Sequence, residues 1–266
     1  MTHETLTLRV DDADLAVDMR GAGPPLLFVH GFPFDHTMWK HQIAGLTRWR
    51  RIAPDLRGAG ASSAPASGYS MRRYADDLAA VLDGVGVEQA VVCGLSLGGY
   101  ILFELLRRHP DRVRAAIFCD TKAEPDSDEA KRGRDDLAAV AQRHGQTAVA
   151  DRLVPNLLAP ETLENQPEVV RHVREMIQRM SLSGMVGALR ALRDRPDSRP
   201  TLPTVGVPAL VLGGEDDRIS PPSVMEAMAA AIPGARYERV PAAGHLAPLE
   251  QPLAATRILG EFLEGL

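Results

Sequence analysis

Apolar residues along the chain fall into two rhythms. From Leu6 to Val10, and again from Leu15 to Met19, they alternate with polar ones across the turn-prone Asp11-Asp12, which predicts an antiparallel hairpin. After Pro25 the alternation gives way to continuous apolar runs: Leu26-Leu27-Phe28-Val29, Ala90-Val91-Val92-Cys93, Val113 to Cys119, and Ala209-Leu210-Val211-Leu212. Runs of that length, bounded by turn formers, are the pattern of strands buried on both faces of a parallel sheet. Shorter strands are predicted around Arg51-Ile52-Ala53 and from Tyr237 to Val240. Between the strands lie helical stretches at about His36 to Leu46, Met71 to Leu82, from Leu97 to near His109-Pro110, Val224 to Ala231 and Leu253 to Leu263. The sum is an α/β fold, a mostly parallel eight-stranded sheet flanked by helices.

That rhythm breaks between residues 121 and 205. Prolines at 155, 160, 167, 196, 200 and 203 punctuate polar helical segments, and Val169, Val170, Val173, Met176, Ile177 and Met180 recur at helical spacing on one greasy face. Residues 1–120 and 206–266 are therefore expected to form one discontinuous core, with 121–205 inserted as a helical cap. Composition leaves this picture intact: of 266 residues, 45% are hydrophobic and 24% charged, ordinary values for a folded chain. The net charge of -5, with 13 basic and 13 acidic residues in the insertion, gives no footprint for nucleic acid or an anionic membrane. Two cysteines, Cys93 and Cys119, are too few for a disulfide framework or a zinc site and read as packing residues. No leader pattern and no run of about 18 apolar residues appears, so the expectation is a cytoplasmic protein. Oligomeric state has no signature in the sequence.

Chemistry enters at Gly94-Leu95-Ser96-Leu97-Gly98, between a buried strand and a helix. A sharp strand-to-helix turn strains the serine backbone, needs glycine-sized neighbours, and presents the hydroxyl at the positive end of a helix. The bland alternative is a tight turn whose serine merely caps the helix. A serine nucleophile also needs a base and a group to orient that base. Gly213-Gly214-Glu215-Asp216-Asp217 follows a predicted strand, and Ala242-Ala243-Gly244-His245 follows the last one, 28 residues beyond Asp217. Asp217 is the favoured acid, with Asp216 and Asp120 as rivals. The order Ser, Asp, His separates this chain from the two other familiar arrangements of the same three residues.

Together with His30-Gly31-Phe32-Pro33, Asp55-Leu56-Arg57-Gly58-Ala59-Gly60-Ala61-Ser62 and Gly244-His245-Leu246 before Glu250-Gln251-Pro252, these blocks make the sequence resemble the α/β-hydrolase fold family. The likeness is to its serine esterase and lactonase branch with a helical cap, including enol-lactonase-like hydrolases. The resemblance implies Ser96 as nucleophile, His245 as base, Asp217 as acid, and an oxyanion hole made by the backbone N–H groups of Phe32 and Leu97. His30 is read as structural, and the histidines at 3, 36, 41, 109, 144 and 172 as solvated. The expected substrate is a small, largely apolar ester or lactone. Phe32, Phe34, Trp39, Leu95, Met185 and Leu246 are candidate pocket walls; Met176, Met180 and Met185 fit core packing equally well.

No cofactor and no metal are expected. Gly58-Ala59-Gly60 lacks the third glycine of a dinucleotide loop, no phosphate-loop string occurs, and no metal-ligand spacing is visible. Relatives that hydrolyse haloalkanes or epoxides use aspartate where this chain has Ser96, and Tyr69, Tyr74, Tyr100 and Tyr237 all lie outside the insertion. Carbon-carbon bond hydrolysis, perhydrolysis and a hydrolase-like receptor with slow turnover remain open alternatives.

Overall fold

A computed structural model describes residues 3–266. The opening hairpin pairs β1 (His3–Val10) with β2 (Ala13–Arg20) antiparallel, and Asp11 takes a positive φ of 48° at the turn, which a short polar side chain tolerates. The remaining strands are β3 (Pro25–Val29), β4 (Arg50–Pro54), β5 (Ala90–Leu95), β6 (Val113–Cys119), β7 (Ala209–Gly214) and β8 (Arg236–Val240). They form one eight-stranded sheet in the order β1-β2-β4-β3-β5-β6-β7-β8. The β2–β4 pair is antiparallel and every pair from β4 to β8 is parallel. The apolar runs β3, β5, β6 and β7 occupy the middle and are buried almost throughout, whereas β1 and β8, at the two edges, are largely exposed or half-buried.

Helices α1 (Lys40–Gly45), α2 (Met71–Gly84) and α3 (Leu97–Arg108) alternate with the first strands. The segment predicted as one helix from His36 begins instead as a 3-10 turn, His36–Trp39, because the Asp35 side chain accepts the Thr37 N–H and tightens the entry. Between β6 and β7 run α4 (Asp128–Leu157), α5 (Pro160–Asn165), α6 (Pro167–Arg179) and α7 (Leu182–Arg193). Gly145, with φ 75° and ψ -175°, bends α4 into two arms, a conformation glycine reaches without strain. The greasy face of α6 buries Val173, Met176 and Ile177, and α4 packs against both α6 and α7. Arg179, at the end of α6, ties these helices to the loop after β3: its Nε donates to Asp35 Oδ2 at 2.8 Å and its Nη2 to Thr37 Oγ1 at 3.1 Å. After β7 come α8 (Pro222–Ala230), α9 (Ala247–Glu250) and α10 (Pro252–Glu264). No helix among the described residues is long and apolar enough to cross a membrane.

Parallel strands share a direction, so their carboxyl ends converge on one edge of the sheet. His30, Ser96, Asp120, Asp217 and His245 all follow such ends, although they are scattered over more than 200 positions of sequence.

Candidate active site

Ser96 stands between β5 and α3 with φ 52° and ψ -108°, a region that costs a non-glycine residue on the order of 1–3 kcal/mol. Its surroundings hold it there. The Ser96 N–H donates to Cys119 O at 3.0 Å, and its carbonyl accepts from the Gly99 N–H and the Thr121 hydroxyl, both at 2.9 Å. A Cβ on Gly94 would stand 2.4 Å from Gly98 O, and one on Gly98 would stand 2.3 Å from Val29 O, so neither position has room for any other residue. The Ser96 side chain makes no capping bond to α3, which removes the bland reading and leaves the hydroxyl uncommitted to the helix.

The second half of the site forms at the ends of β7 and β8. His245 Nδ1 lies 2.8 Å from Asp217 Oδ2, and both residues are buried. The other Asp217 oxygen, Oδ1, accepts the N–H of Ile219 at 2.7 Å and of Ser220 at 3.0 Å. The carboxylate can therefore take only the Nδ1–H tautomer as donor, and Nε2 is left as the basic nitrogen. Asp216, one residue earlier, is exposed, so of the two adjacent carboxylates only Asp217 meets the histidine. Asp120 is fully buried at the end of β6; its Oδ1 accepts the Gly214 N–H at 2.8 Å and its Oδ2 has no partner among the described residues. Burial, with the nearby Asp217 charge, pushes the Asp120 carboxyl well above the usual range.

The loop after β3 brings the remaining candidates into view. Leu97 is the first residue of α3, where an N–H has no partner within the helix, and the Phe32 N–H has none among the described residues. Gly31 is crowded by two of the expected pocket residues: a Cβ there would lie 2.8 Å from Leu95 Cδ2 and 3.3 Å from Phe34 Cδ2. Leu246 is buried beside His245, and Met185 is buried on α7 next to Gly184, whose backbone touches Gly58. Trp39 is fully buried with its ring 5.0 Å from that of Phe28, and its indole N–H lacks a partner among the described residues. His30 is structural: Nε2 accepts the Leu56 N–H at 2.9 Å, Nδ1 faces Gly31 O at 2.9 Å, and burial holds its imidazole below the ordinary range. Cys93 and Cys119 are fully buried side by side, with their sulfurs 3.7 Å apart.

Two features escaped the sequence reading. His36 is not simply solvated, for its Nδ1 is 2.8 Å from the buried Asp55, whose carboxylate raises the imidazole against the opposing effect of burial. Asp35, His36 and Asp55 bring donor atoms within 4.8 Å of one another, the spacing of a metal cluster. Their oxygens already serve the protein: Asp35 takes Thr37 and Arg179, and Asp55 takes His36 and the Ala61 N–H. The Asp55 block is thus a brace for the loop, as is Arg57, which donates to both oxygens of Asp77 on α2. The other residue missed is Glu250, which gathers bonds from both sides of the site.

Residues 24–252 match the model of the alpha/beta hydrolase fold family. The chain is 29% identical to 3-oxoadipate enol-lactonase 2 of Acinetobacter baylyi, over 94% of this chain and 92% of that protein. Its structure resembles that of a thermophilic esterase from Thermogutta terrifontis, with a TM-score of 0.94 and 40% identity over 100% of this chain and 99% of that one. The enol-lactonase from Burkholderia xenovorans LB400 is similar with a TM-score of 0.91 and 30% identity, over 97% and 100% of the two chains. Matched by the family pattern over most of its length and by an esterase and two enol-lactonases nearly from end to end, the chain belongs to the α/β-hydrolase fold family, on its esterase and lactonase branch, and is a hydrolase.

Proposed function

We propose that the protein hydrolyses a small, largely apolar carboxylic ester or lactone through an acyl-enzyme, with Ser96 as nucleophile, His245 as general base and Asp217 as the acid that orients it. The observation that carries this reading is the 2.8 Å bond from His245 Nδ1 to Asp217 Oδ2, because it leaves Nε2 free to act as a base. Ser96 Oγ attacks the substrate carbonyl as its proton passes to His245 Nε2, and the carbonyl π pair moves onto oxygen. The N–H groups of Phe32 and Leu97 receive that oxyanion; rigid backbone donors do so without reorganising. Collapse of the intermediate breaks the bond to the leaving alkoxide, which takes the proton from His245. Water, deprotonated by the same nitrogen, then attacks the acyl-enzyme, and Ser96 leaves with the proton.

Residues 121–205 act as a cap over this edge of the sheet, and Phe32, Phe34, Trp39, Leu95, Met185 and Leu246 supply apolar walls. The likeness to an esterase and to enol-lactonases supports both open-chain esters and lactones as substrate classes. No cofactor has a part in these steps. In Ser96→Ala, kcat on short p-nitrophenyl esters is expected to fall by roughly a thousandfold or more, with loss of fluorophosphonate labelling. Retention of more than a few per cent of the wild-type rate overturns the reading. A panel of esters and lactones of rising size then divides the two classes, and labelling without turnover of any of them would point to a receptor instead.

A further inference from the structure

Glu250 is an acid that the steps above do not use, and it is 2% exposed at the end of α9. Its two oxygens serve two different parts of the chain. Oε1 accepts the N–H of Gly244 at 2.9 Å and of Leu246 at 3.1 Å, the residues on either side of His245. Oε2 accepts the Ala159 N–H and the Thr162 hydroxyl, both at 2.7 Å, where α4 gives way to α5 in the insertion. Between the two flanking bonds, the His245 N–H itself donates to Leu157 O, the last residue of α4, at 2.8 Å. Three consecutive N–H groups around the base are therefore spent either on the insertion or on a carboxylate that also grips it.

The backbones leave no slack. A Cβ on Gly244 would sit 2.6 Å from Ala159 N and 2.8 Å from Leu158 C, so the histidine loop and the α4–α5 junction lie in direct contact. A buried carboxylate without a cation is costly, and burial does push Glu250 above the usual range; the bonds from Ala159, Thr162, Leu246 and Gly244 oppose that push. Four donors fill the four acceptor sites of the group, which fixes its orientation.

We propose that Glu250 is the positioning residue for His245 and that it ties the place of the imidazole to the α4–α5 junction of the insertion. This rests on the reading of His245 as the base. A misplacement of about 1 Å at a reacting group is enough to lower a rate a hundredfold, so small shifts of the junction reach the chemistry through one side chain.

The test uses Glu250→Gln and Thr162→Val in the full-length protein. Glutamine sets an NH2 against N–H or O–H donors on one side or the other, while valine removes only the hydroxyl that the insertion contributes. The readouts are kcat and KM on a p-nitrophenyl ester, thermal melting, and the low-field proton resonance of His245 Nδ1–H. That resonance is also followed in Ser96→Ala, where no turnover is needed. In Glu250→Gln the resonance is expected to shift or broaden and kcat to fall by roughly ten- to a hundredfold, with KM within about threefold. Thr162→Val is expected to move both in the same direction, with kcat down by about threefold. An unchanged resonance in Glu250→Gln, with activity lost only in proportion to unfolded protein, overturns the positioning role. A response in Glu250→Gln with none in Thr162→Val overturns the link to the insertion. If Glu250→Gln does not fold, Thr162→Val decides alone. Activity surviving in Ser96→Ala would instead sink the proposed chemistry, whatever the resonance does.

Discussion

β6 and β7 run side by side, and each delivers a buried aspartate at its carboxyl end: Asp120 directly after β6, Asp217 in the turn after β7. The two differ in the donors they meet. Asp217 collects the N–H groups of Ile219 and Ser220 and the imidazole of His245, whereas Asp120 has the Gly214 N–H on one oxygen and, among the described residues, nothing on the other. Burial and the neighbouring charge push the Asp120 carboxyl well above the usual range, toward its neutral form. Both acids are buried; a turn that presents N–H groups to the carboxylate is what separates the two.

The comparison can be broken at several levels. On the proposed mechanism, Asp217→Asn presents the wrong partner to His245, and kcat is expected to fall by about a thousand- to ten-thousandfold, measured on a p-nitrophenyl ester. If Asp120 stands ready as a substitute acid, the double variant Asp120→Asn/Asp217→Asn will be far slower still; the structure leads us to expect the two within about threefold, because Asp120 bonds to Gly214 rather than to the histidine. Asp120→Asn alone keeps the acceptor for Gly214 and is expected to change kcat by less than about threefold.

The smallest effect concerns stability, and its sign follows from the raised carboxyl. As pH climbs past about 4, the unfolded chain releases the Asp120 proton while the folded chain keeps it, so the wild-type native state loses stability that the asparagine variant does not lose. Melting curves should show Asp120→Asn gaining a few degrees on the wild type at pH 8 and little or nothing near pH 4. A gap that stays constant across that range would mean that Asp120 is ionised in the fold.

Much of this was legible in the sequence, for reasons that vary by residue. β3, β5, β6 and β7 were readable because a strand buried on both faces must be apolar at every position. The serine turn was readable because two glycines are sterically required beside Ser96 and their spacing is short. The site beyond single motifs was harder. Glu250 stands in a recognisable block, but its four donors come from Ala159, Thr162, Gly244 and Leu246, and a contact across some ninety residues leaves no periodic trace. His36 was misread because its partner, Asp55, lies on another loop, and the bend of α4 rests on one glycine in an otherwise polar helix. The Asp35 side chain, one residue before the 3-10 turn, was a signal that finer reading of helix starts would have caught.

The order of strands in the sheet has a consequence for the chain as it is made. The strand that carries Ser96 is the fifth, and its immediate neighbours β3 and β6 both emerge within the first 119 residues. Asp217 and His245 follow β7 and β8, strands that are made only after all the helices between β6 and β7. On the proposed mechanism, a growing chain therefore contains its nucleophile long before it contains the two groups that would activate it. On that same reading, activity has to wait for the last two strands of the sheet, however early the serine turn is made.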